Sequence, residues 1–537
     1  AALARPVWFG ARFLGFCALS ALLTFFLGRD FFPQVDAGQI RLHGRARTGT
    51  RIEETARLAD QVDAVIRETV PPKELGTVLD NIGLPYSGVN LSYSNGGTIG
   101  TSDVEVLVQL AEGRTKATAA YVKELRAKLR DRFPGVQFFF QPADIVTQIL
   151  NFGTPAPIDV QVVGMDQPGN LRVAEKLVNE IRHIPGAVDV HVQQAFDAPT
   201  LRMDVDRARA QSMGLQARDV AQSMLVTLSS SFQTAPAFWL DPQNGVSYSV
   251  AVQAPQYRLD SLQALQNTPV PGGAPGRPPQ ILANLVAPAA ALRPAAISHY
   301  NAQPMINVYA AVEGRDLGAV ATEVEKRVAA AEKELPRGSS VVIRGQVQTM
   351  EASFAGLGVG LVGAIVLIYL LIVVNFQSWL DPLIIVAGLP GALAGICWML
   401  LLTHTTLSVP SLTGAIMCMG VATANSILLV SFAREQLGEG RSAREAALEA
   451  GYVRLRPVLM TALAMVIGMV PMAIGLGEGG EQNAPLGRAV IGGLVFATVA
   501  TLFLVPCVFS LLHGWLAARR ARAAAAGAGR DLGGRAE

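Results

Sequence analysis

Six stretches of the chain are apolar over the length a bilayer requires, about 20 predominantly apolar residues per helix. They run from Val7 to Leu27, Phe354 to Val374, Pro382 to Leu402, Val409 to Phe432, Pro457 to Ile474 and Ala489 to Leu512. A polar region of more than three hundred residues separates the first from the second, and the other five follow closely. The pattern predicts one anchor, one large extramembrane body and a five-helix membrane block. Arg5 and Arg12 precede the first span, Arg434, Arg441, Arg444, Arg454 and Arg456 lie between the fourth and fifth, and Arg519, Arg520 and Arg522 follow the sixth. With alternating spans these clusters share one side, the cytoplasm, which puts the body and the loop "GLGEGGEQNAPLG" outside. Small residues four apart, Gly356/Gly360 and Gly391/Gly395, are expected to allow close helix packing, although glycine is also simply common in membrane helices. The opening "AALARPVWFG" has no initiator Met, and no small-residue cleavage pattern follows its apolar run. It reads as an anchor rather than a signal peptide, and the chain is expected to begin inside the product of a longer gene.

Within the body, periodicity switches repeatedly between helix and strand. "YVKELRAKLRDRFPGVQFFF" (121 to 140) and "VAEKLVNEIRHIPGAVDVHV" (173 to 192) share an amphipathic helix, a Pro-Gly stop and a β-rich run. A third copy spans 320 to 343 and a looser fourth 56 to 72. Strand-like runs such as "IDVQVVG" and "MINVYAAVEG" precede the helices. Four strand-helix-strand units predict two sheet-plus-helix subdomains of split βαβ type. Residues 199 to 294 break the rhythm with alternating strands and a Pro/Gly stretch, as an insertion into the second subdomain would.

Composition agrees with the membrane reading. Half of the 537 residues are apolar, 16% are charged and the mean hydropathy is +0.34. A net charge of +2 gives no electrostatic footprint for nucleic acid. Cys17, Cys397, Cys418 and Cys507 all fall in apolar runs, where they read as small buried residues rather than disulfides or metal ligands. The body's methionines, Met165, Met203, Met213, Met224 and Met305 among them, form no converging thioether set of the kind a soft metal needs. No phosphate loop of the GxxxxGK[ST] type is present, which argues against ATP as the energy source.

Four stretches, "FFPQVDAGQI", "NFQSWLDPLIIVAGLPGALAG", "LRPVLMTALAMVIGMVPMAI" and "AVIGGLVFATVATLFLVPCVFSLL", occur in an order and membrane context that resembles the RND (resistance-nodulation-division) efflux permeases, specifically the second half of the hydrophobe/amphiphile branch. The resemblance covers the chain up to its Ala-rich tail. It implies a secondary transporter rather than an enzyme, without cofactor, driven by proton antiport in the inner membrane. By resemblance, residues 1–32 are the seventh span of a twelve-span permease and 351–515 carry the eighth to twelfth, followed by a cytoplasmic tail at 516–537. Residues 33–145 and the split segment 146–198 with 295–350 become two periplasmic porter subdomains of ferredoxin-like type, and 199–294 a docking subdomain. Implied partners are the N-terminal half of the same permease, two further copies in a homotrimer, a periplasmic adaptor, an outer-membrane channel and small amphipathic substrates. An accessory of protein secretion on the same fold and a non-transporting scaffold are the alternatives.

Candidate chemistry sits in "GVATANSILLVSF" (420 to 432), which places Thr423, Asn425 and Ser426 where lipid tails should be. Buried polar residues in spans mark functional pathways, or else bond to a neighbouring helix. In the family this helix carries a proton-relay lysine where Ala424 stands here, and Asn425 matches the asparagine after it. Arg454 and Thr461 match a family arginine and threonine that assist the relay; otherwise Arg454 anchors the membrane edge and Thr461 bonds to its own helix. No Asp or Glu lies mid-span, so the acid of a relay has to come from the missing half. The metal-exporting branch tends to carry a glutamate in the fourth of these spans, and none is present. In the body, Tyr86 and Tyr93 lie in a Gly/Ser/Asn-rich segment (81 to 103) that resembles the family's switch loop, or is a plain hairpin connection. Phe138 and Phe140 share one strand face and either line the substrate path or fill a core.

Overall fold

The computed structural model describes residues 3, 5–84, 97–151, 153–272, 278–477 and 479–533. Its extramembrane part starts with β1 (Gln39–Arg45), helix Ile52–Thr69, β2 (Leu75–Ile82), β3 (Asp103–Leu110), helix Thr118–Arg132 and β4 (Gln137–Gln141). The strands form one antiparallel sheet in the order β2-β3-β1-β4. Alternation divides its faces. Ile40 and Leu42 of β1 and Val104, Val106, Val108 and Leu110 of β3 are buried in a core with Val62, Ile66, Leu125 and Leu129 of the two helices. The opposite face carries Arg41, His43, Arg45, Asp103 and Glu105, polar residues that need partners of their own.

Two more strands, β5 (Ile158–Val163) and β6 (Ala187–Val192), flank helix Gln167–Ile181. The chain then builds a separate unit, Ala195–Ala296. That unit holds β7 (Ala198–Val205), β8 (Ala237–Leu240), β9 (Ser247–Val250), β10 (Pro269–Val270), β11 (Gln280–Ile281) and β12 (Val286–Arg293). They pair as three two-stranded antiparallel sheets, β12-β7, β8-β9 and β10-β11. Its core comprises Ala210, Leu215, Val220, Val270, Leu282, Leu285 and Val286, with Met203, Met213 and Met224 packed against them. These methionines fill space.

The first unit resumes with β13 (Ser298–Tyr300), β14 (Gln303–Val312), helix Leu317–Ala331 and β15 (Ser340–Gly345). The second sheet runs β13-β14-β5-β15, with β6 also on β14, and all its pairings are antiparallel. Setting β13 aside, it repeats the connectivity of the first sheet. The four helix-then-strand repeats in the sequence therefore occupy equivalent places.

Six helices are long and apolar enough to cross a membrane: Pro6–Phe25, Gln346–Phe376, Leu380–Leu402, Val409–Gly438, Ala443–Ile474 and Ala484–Arg519, here spans 1 to 6. Several outrun the apolar stretches that predict them. Span 5 starts at Ala443, well before Pro457, because Ser442 and Glu445 cap it reciprocally and its Arg-rich turns can keep their charges in water while the helix continues. A five-residue π-helical turn, Ala500–Leu504, interrupts span 6.

Spans 3, 4 and 6 touch nearly backbone to backbone. A Cβ on Gly395 would strike the Gly492 carbonyl and come within 2.6 Å of Phe496 Cβ, and one on Gly493 would meet Cys418 Sγ at 2.5 Å. The expected contact at Gly391/Gly395 is thus present, whereas a Cβ on Gly356 or Gly360 meets nothing within 4 Å among the described residues. Cys17, Cys418 and Cys507 are buried, Cys397 is half-buried, and all four are free thiols.

Among the described residues, two junctions connect membrane and body through the backbone. β15 runs directly into span 2 through Gly345, whose φ of +84° is open to glycine and whose Cα lies against the Pro157 carbonyl. Segment Gly28–Phe31, after span 1, is held from two sides. Arg29 N donates to Asp316 Oδ2 at 2.9 Å, Leu317 N to Asp30 Oδ1 at 2.8 Å and Gly318 N to the Arg29 carbonyl at 2.8 Å. On the other side Leu407 N donates to Gly28 O at 2.7 Å and Asp30 N to Leu407 O at 3.0 Å. Gly395→Val is expected to cost about 1–3 kcal/mol through overpacking. The measurement is the melting temperature of the purified permease in detergent, and an unchanged value would contradict the backbone contact.

Candidate functional site

Spans 4 and 5 are antiparallel neighbours, and their crossing brings together two residues singled out in the sequence. Thr461 Oγ1 donates to Asn425 Oδ1 at 3.1 Å and also lies 3.0 Å from the Val458 carbonyl of its own helix. Asn425 is buried. A hydroxyl placed between a neighbour's amide and its own backbone has two acceptors within reach and keeps a partner for its proton whichever it takes.

The other two predicted residues lie apart from this bond. Thr423, buried, donates to the Met419 carbonyl at 2.8 Å on its own helix. Arg454 lies seven residues before Thr461, roughly 10 Å along the axis at 1.5 Å per residue. Its guanidinium is 5.2 Å from the ring centroid of Phe432, itself seven residues beyond Asn425 on span 4. Arg454 Nε is buried without a hydrogen-bond partner among the described residues. Ala424 is on an exposed flank of span 4, and Thr461 is exposed on span 5. Ser426, polar within the same span, finds a partner that the sequence does not indicate: Ser426 Oγ and Thr501 Oγ1, both buried, are 3.0 Å apart, tying span 4 to the π turn of span 6. π turns are uncommon and recur at functional sites.

In the body, Tyr86 and Tyr93 lie outside the described residues. Phe138 and Phe140 pack against the core of the first sheet. Phe139, on the other face, is buried between two imidazoles, with centroids 4.3 Å from His43 and 3.9 Å from His191. His43 belongs to β1 and His191 to β6, so this stack joins the two sheets. Around it Arg45 Nε bonds Asp103 Oδ1 at 2.8 Å, His43 Nε2 lies 3.4 Å from the same oxygen, and Arg126 Nη2 reaches Asp189 Oδ2 at 2.8 Å. Burial alone would raise Asp103, but the His43 hydrogen bond and the Arg45 charge outweigh it and hold the carboxyl at about 2. Burial drives His191 down to about 3, helped by the Arg45 and His43 charges and opposed by its bond to the Asp189 carbonyl. A second buried carboxyl, Asp159, accepts from Asn307 Nδ2 at 3.0 and 3.1 Å and from Gln161 Nε2 at 2.7 Å, yet burial still lifts it to about 6.

An open cleft of about 470 Å³ lies on the polar face of the first sheet, lined by Gln39, Arg41, Thr77, Leu107, Gln109 and Gln148 among others. Aromatic content does not reveal these residues; the positions opposite the apolar alternation on β1, β2 and β3 do. Among the described residues no three His, Cys, Asp or Glu side chains are grouped to hold a metal ion.

The model for the AcrB/AcrD/AcrF family matches residues 1–513. The chain belongs to that family of RND permeases. It is 28% identical over 493 residues to the cobalt-zinc-cadmium resistance protein CzcA of Cupriavidus metallidurans, an alignment covering 91% of this chain and 45% of that protein. It is 25% identical over 518 residues to the multidrug resistance protein MdtC of Proteus mirabilis, covering 96% and 48%. A crystal structure of a heavy metal efflux pump superposes with a TM-score of 0.78 at 26% identity, covering 95% of this chain and 51% of that one. The chain thus spans about half the length of these RND relatives.

His191 and Asp103 give the joint between the sheets a definite pH response. His191 resists protonation when folded, so its contribution is complete above the ordinary histidine pKa of about 6.5 and declines as pH falls toward about 3. Asp103 contributes above about 3.8 and loses its effect as pH falls toward about 2. The melting temperature of the permease is expected to fall between pH 7 and 5, and His191→Phe, which keeps a ring on Phe139, to flatten that fall. Equal slopes for the two proteins would refute the assignment.

Proposed function

We propose that the chain is the C-terminal half of an inner-membrane RND efflux permease that exports amphipathic organic compounds in exchange for protons. The observation that carries this reading is the Asn425–Thr461 hydrogen bond. It is a polar link between two apolar spans, at the helix crossing where the family's relay is expected, and it has an alternative acceptor within reach. The chain supplies the responsive hydroxyl and amide, and the N-terminal half supplies the titrating acid. Exposure of Thr461 and Ala424 on the surface of this half is consistent with a second bundle packing there.

Movement in the spans passes to the body through the β15–span 2 junction and the Gly28–Phe31 segment, biasing the two sheet-plus-helix subdomains between open and closed forms. In this reading those subdomains, at 33–145 and at 146–198 with 295–350, are periplasmic porter subdomains of ferredoxin-like type, and 199–294 is a docking subdomain. The working assembly is a homotrimer with a periplasmic adaptor and an outer-membrane channel. The cleft beside Gln39, Gln109 and Gln148 joins the substrate path: its amides and leucines, with Arg41 already paired to Glu105, suit an amphipathic solute.

A second reading, export of divalent metal cations, is favoured by the metal-resistance names of several relatives. Against it stand the lack of a grouped ligand set among the described residues and of a glutamate within the apolar part of span 4. Deleting the complete gene is expected to raise ethidium accumulation in cells and leave tolerance of cobalt, zinc, cadmium and nickel unchanged. The reverse pattern would replace the organic reading with the cation one. Thr461→Ala removes about 1 kcal/mol of hydrogen bonding, which slows efflux by up to roughly fivefold if the bond acts in the limiting step, while Thr461→Ser preserves the rate. Equal fluxes for Ala and Ser, measured as initial rates of dye export, would take Thr461 out of the coupling.

A further inference from the structure

Strand register gives the cleft on the polar face of the first sheet an internal order. Arg41 of β1 stands opposite Leu107 of β3, and Leu107 opposite Leu79 of β2, so one cation and two leucines form a single row across three strands. To one side of that row Gln39 stands opposite Gln109, and to the other Glu105 stands opposite Asn81. Among the described residues that line the cleft, Arg41 is the one with a charge.

Arg41 is oriented before any solute arrives. Its Nε bonds Glu105 Oε1, and Glu105 Oε2 in turn accepts from Asn81 Nδ2 at 3.4 Å. The side chains of Arg41 and Glu105 are 11% and 8% exposed, so the pair is largely withdrawn from water. This arrangement engages Nε alone: among the described residues Nη1 and Nη2 have no hydrogen-bond partner. The planar fork therefore keeps one edge, with both terminal nitrogens, for an acceptor from outside.

We propose that this cleft prefers amphipathic anions among organic solutes, with the Nη1–Nη2 edge of Arg41 binding a carboxylate or sulfonate and Leu107 and Leu79 carrying the apolar body. The proposal rests on the organic-export reading above and names the solute class of that cleft. Neighbouring strands are about 4.8 Å apart, which sets the two leucines roughly 5 and 10 Å from Arg41 along the row. A solute whose charge and ring system are separated by that distance meets both at once. Glu105 is already engaged by Arg41 and Asn81 and does not line the cleft, so a cationic head finds a guanidinium there and no carboxylate. Thr77, Gln39 and Gln109 add dipoles but no charge. Because Glu105 fixes the guanidinium in advance, binding immobilises less than it would at a free surface arginine. Glu105 also offsets part of the positive field, so recognition rests on directed N–H groups, and the preference over an uncharged counterpart is about tenfold.

The test measures initial export rates against concentration in cells making the complete permease with its partners. The probes are 5-dimethylaminonaphthalene-1-sulfonate and the corresponding neutral sulfonamide, which share one fluorescent ring system. In the parent, KM for the sulfonate is expected to lie about tenfold below that for the sulfonamide. Arg41→Gln keeps a side-chain N–H but loses the fork, and is expected to bring the two KM values within about twofold of each other, chiefly by raising that of the sulfonate. Arg41→Gln combined with Glu105→Gln is expected to do the same without leaving a carboxylate unpaired, so a folding defect in the single variant does not decide the matter. Equal KM values in the parent, or the parental ratio kept by the double variant, would overturn the proposal. A lower kcat for both compounds with that ratio unchanged would make Arg41 a strut of the sheet and overturn it too. A parent that exports ethidium but not the sulfonate would do the same, whereas one that exports none of the three would overturn the organic-export reading itself.

Discussion

The membrane block is tied to the body by hydrogen bonds on both sides of segment Gly28–Phe31. That segment is bonded through its backbone to the loop before span 4 and through Asp30 and Asp316 to the first turn of helix Leu317–Ala331. The bonds are short and reciprocal, and they join elements 287 residues apart on one side and more than 370 apart on the other. Backbone groups at a membrane surface must be satisfied by protein or water, and here protein satisfies them on both sides. Span 1, span 4 and the second sheet's helix are consequently constrained to move together. Gly345 supplies the complementary joint, where β15 turns into span 2 with no intervening loop.

The spans themselves are built on a contrast between contacts that cannot give and contacts that can. Gly395, Gly492 and Gly493 set spans 3, 4 and 6 so close that no side chain larger than hydrogen fits. Beside this rigid centre, polar links join the spans at Asn425–Thr461, Ser426–Thr501 and Asp381–His513, and the Thr461 hydroxyl has the Val458 carbonyl as a second acceptor. In hydrocarbon a hydroxyl or carboxylate with no partner is costly, so such links persist in one of a few satisfied states instead of fraying. This is the property required of a bundle that changes conformation in steps.

The body follows the same logic across a wetter interface. Both sheets turn their apolar alternation toward their own helices and are left with polar faces; between those faces Phe139 is enclosed by His43 and His191, and beside them Arg126 of helix Thr118–Arg132 bonds Asp189 of β6. A joint held by rings and ion pairs gains less from burial than an apolar core does, and it responds to pH. That makes it a reasonable place for two subdomains to separate and close again.

Much of this was legible in the chain before folding. Apolar runs of bilayer length located six spans, and the recurrent helix, Pro-Gly stop and strand pattern located both sheets, because those features are set by local periodicity and by residues that permit only certain backbone angles. The burial of Asn425 and the tight approach at Gly395 were also readable from residue type within a span. What only the tertiary structure decided are the pairings between segments distant in sequence: that Asn425 meets Thr461 while Arg454 lies on Phe432, that Phe139 and not Phe138 or Phe140 joins the sheets, and that His513 reaches Asp381. Periodicity fixes which face of an element a side chain occupies; only packing fixes the neighbour on that face, and these chemical roles belong to the neighbour as much as to the residue.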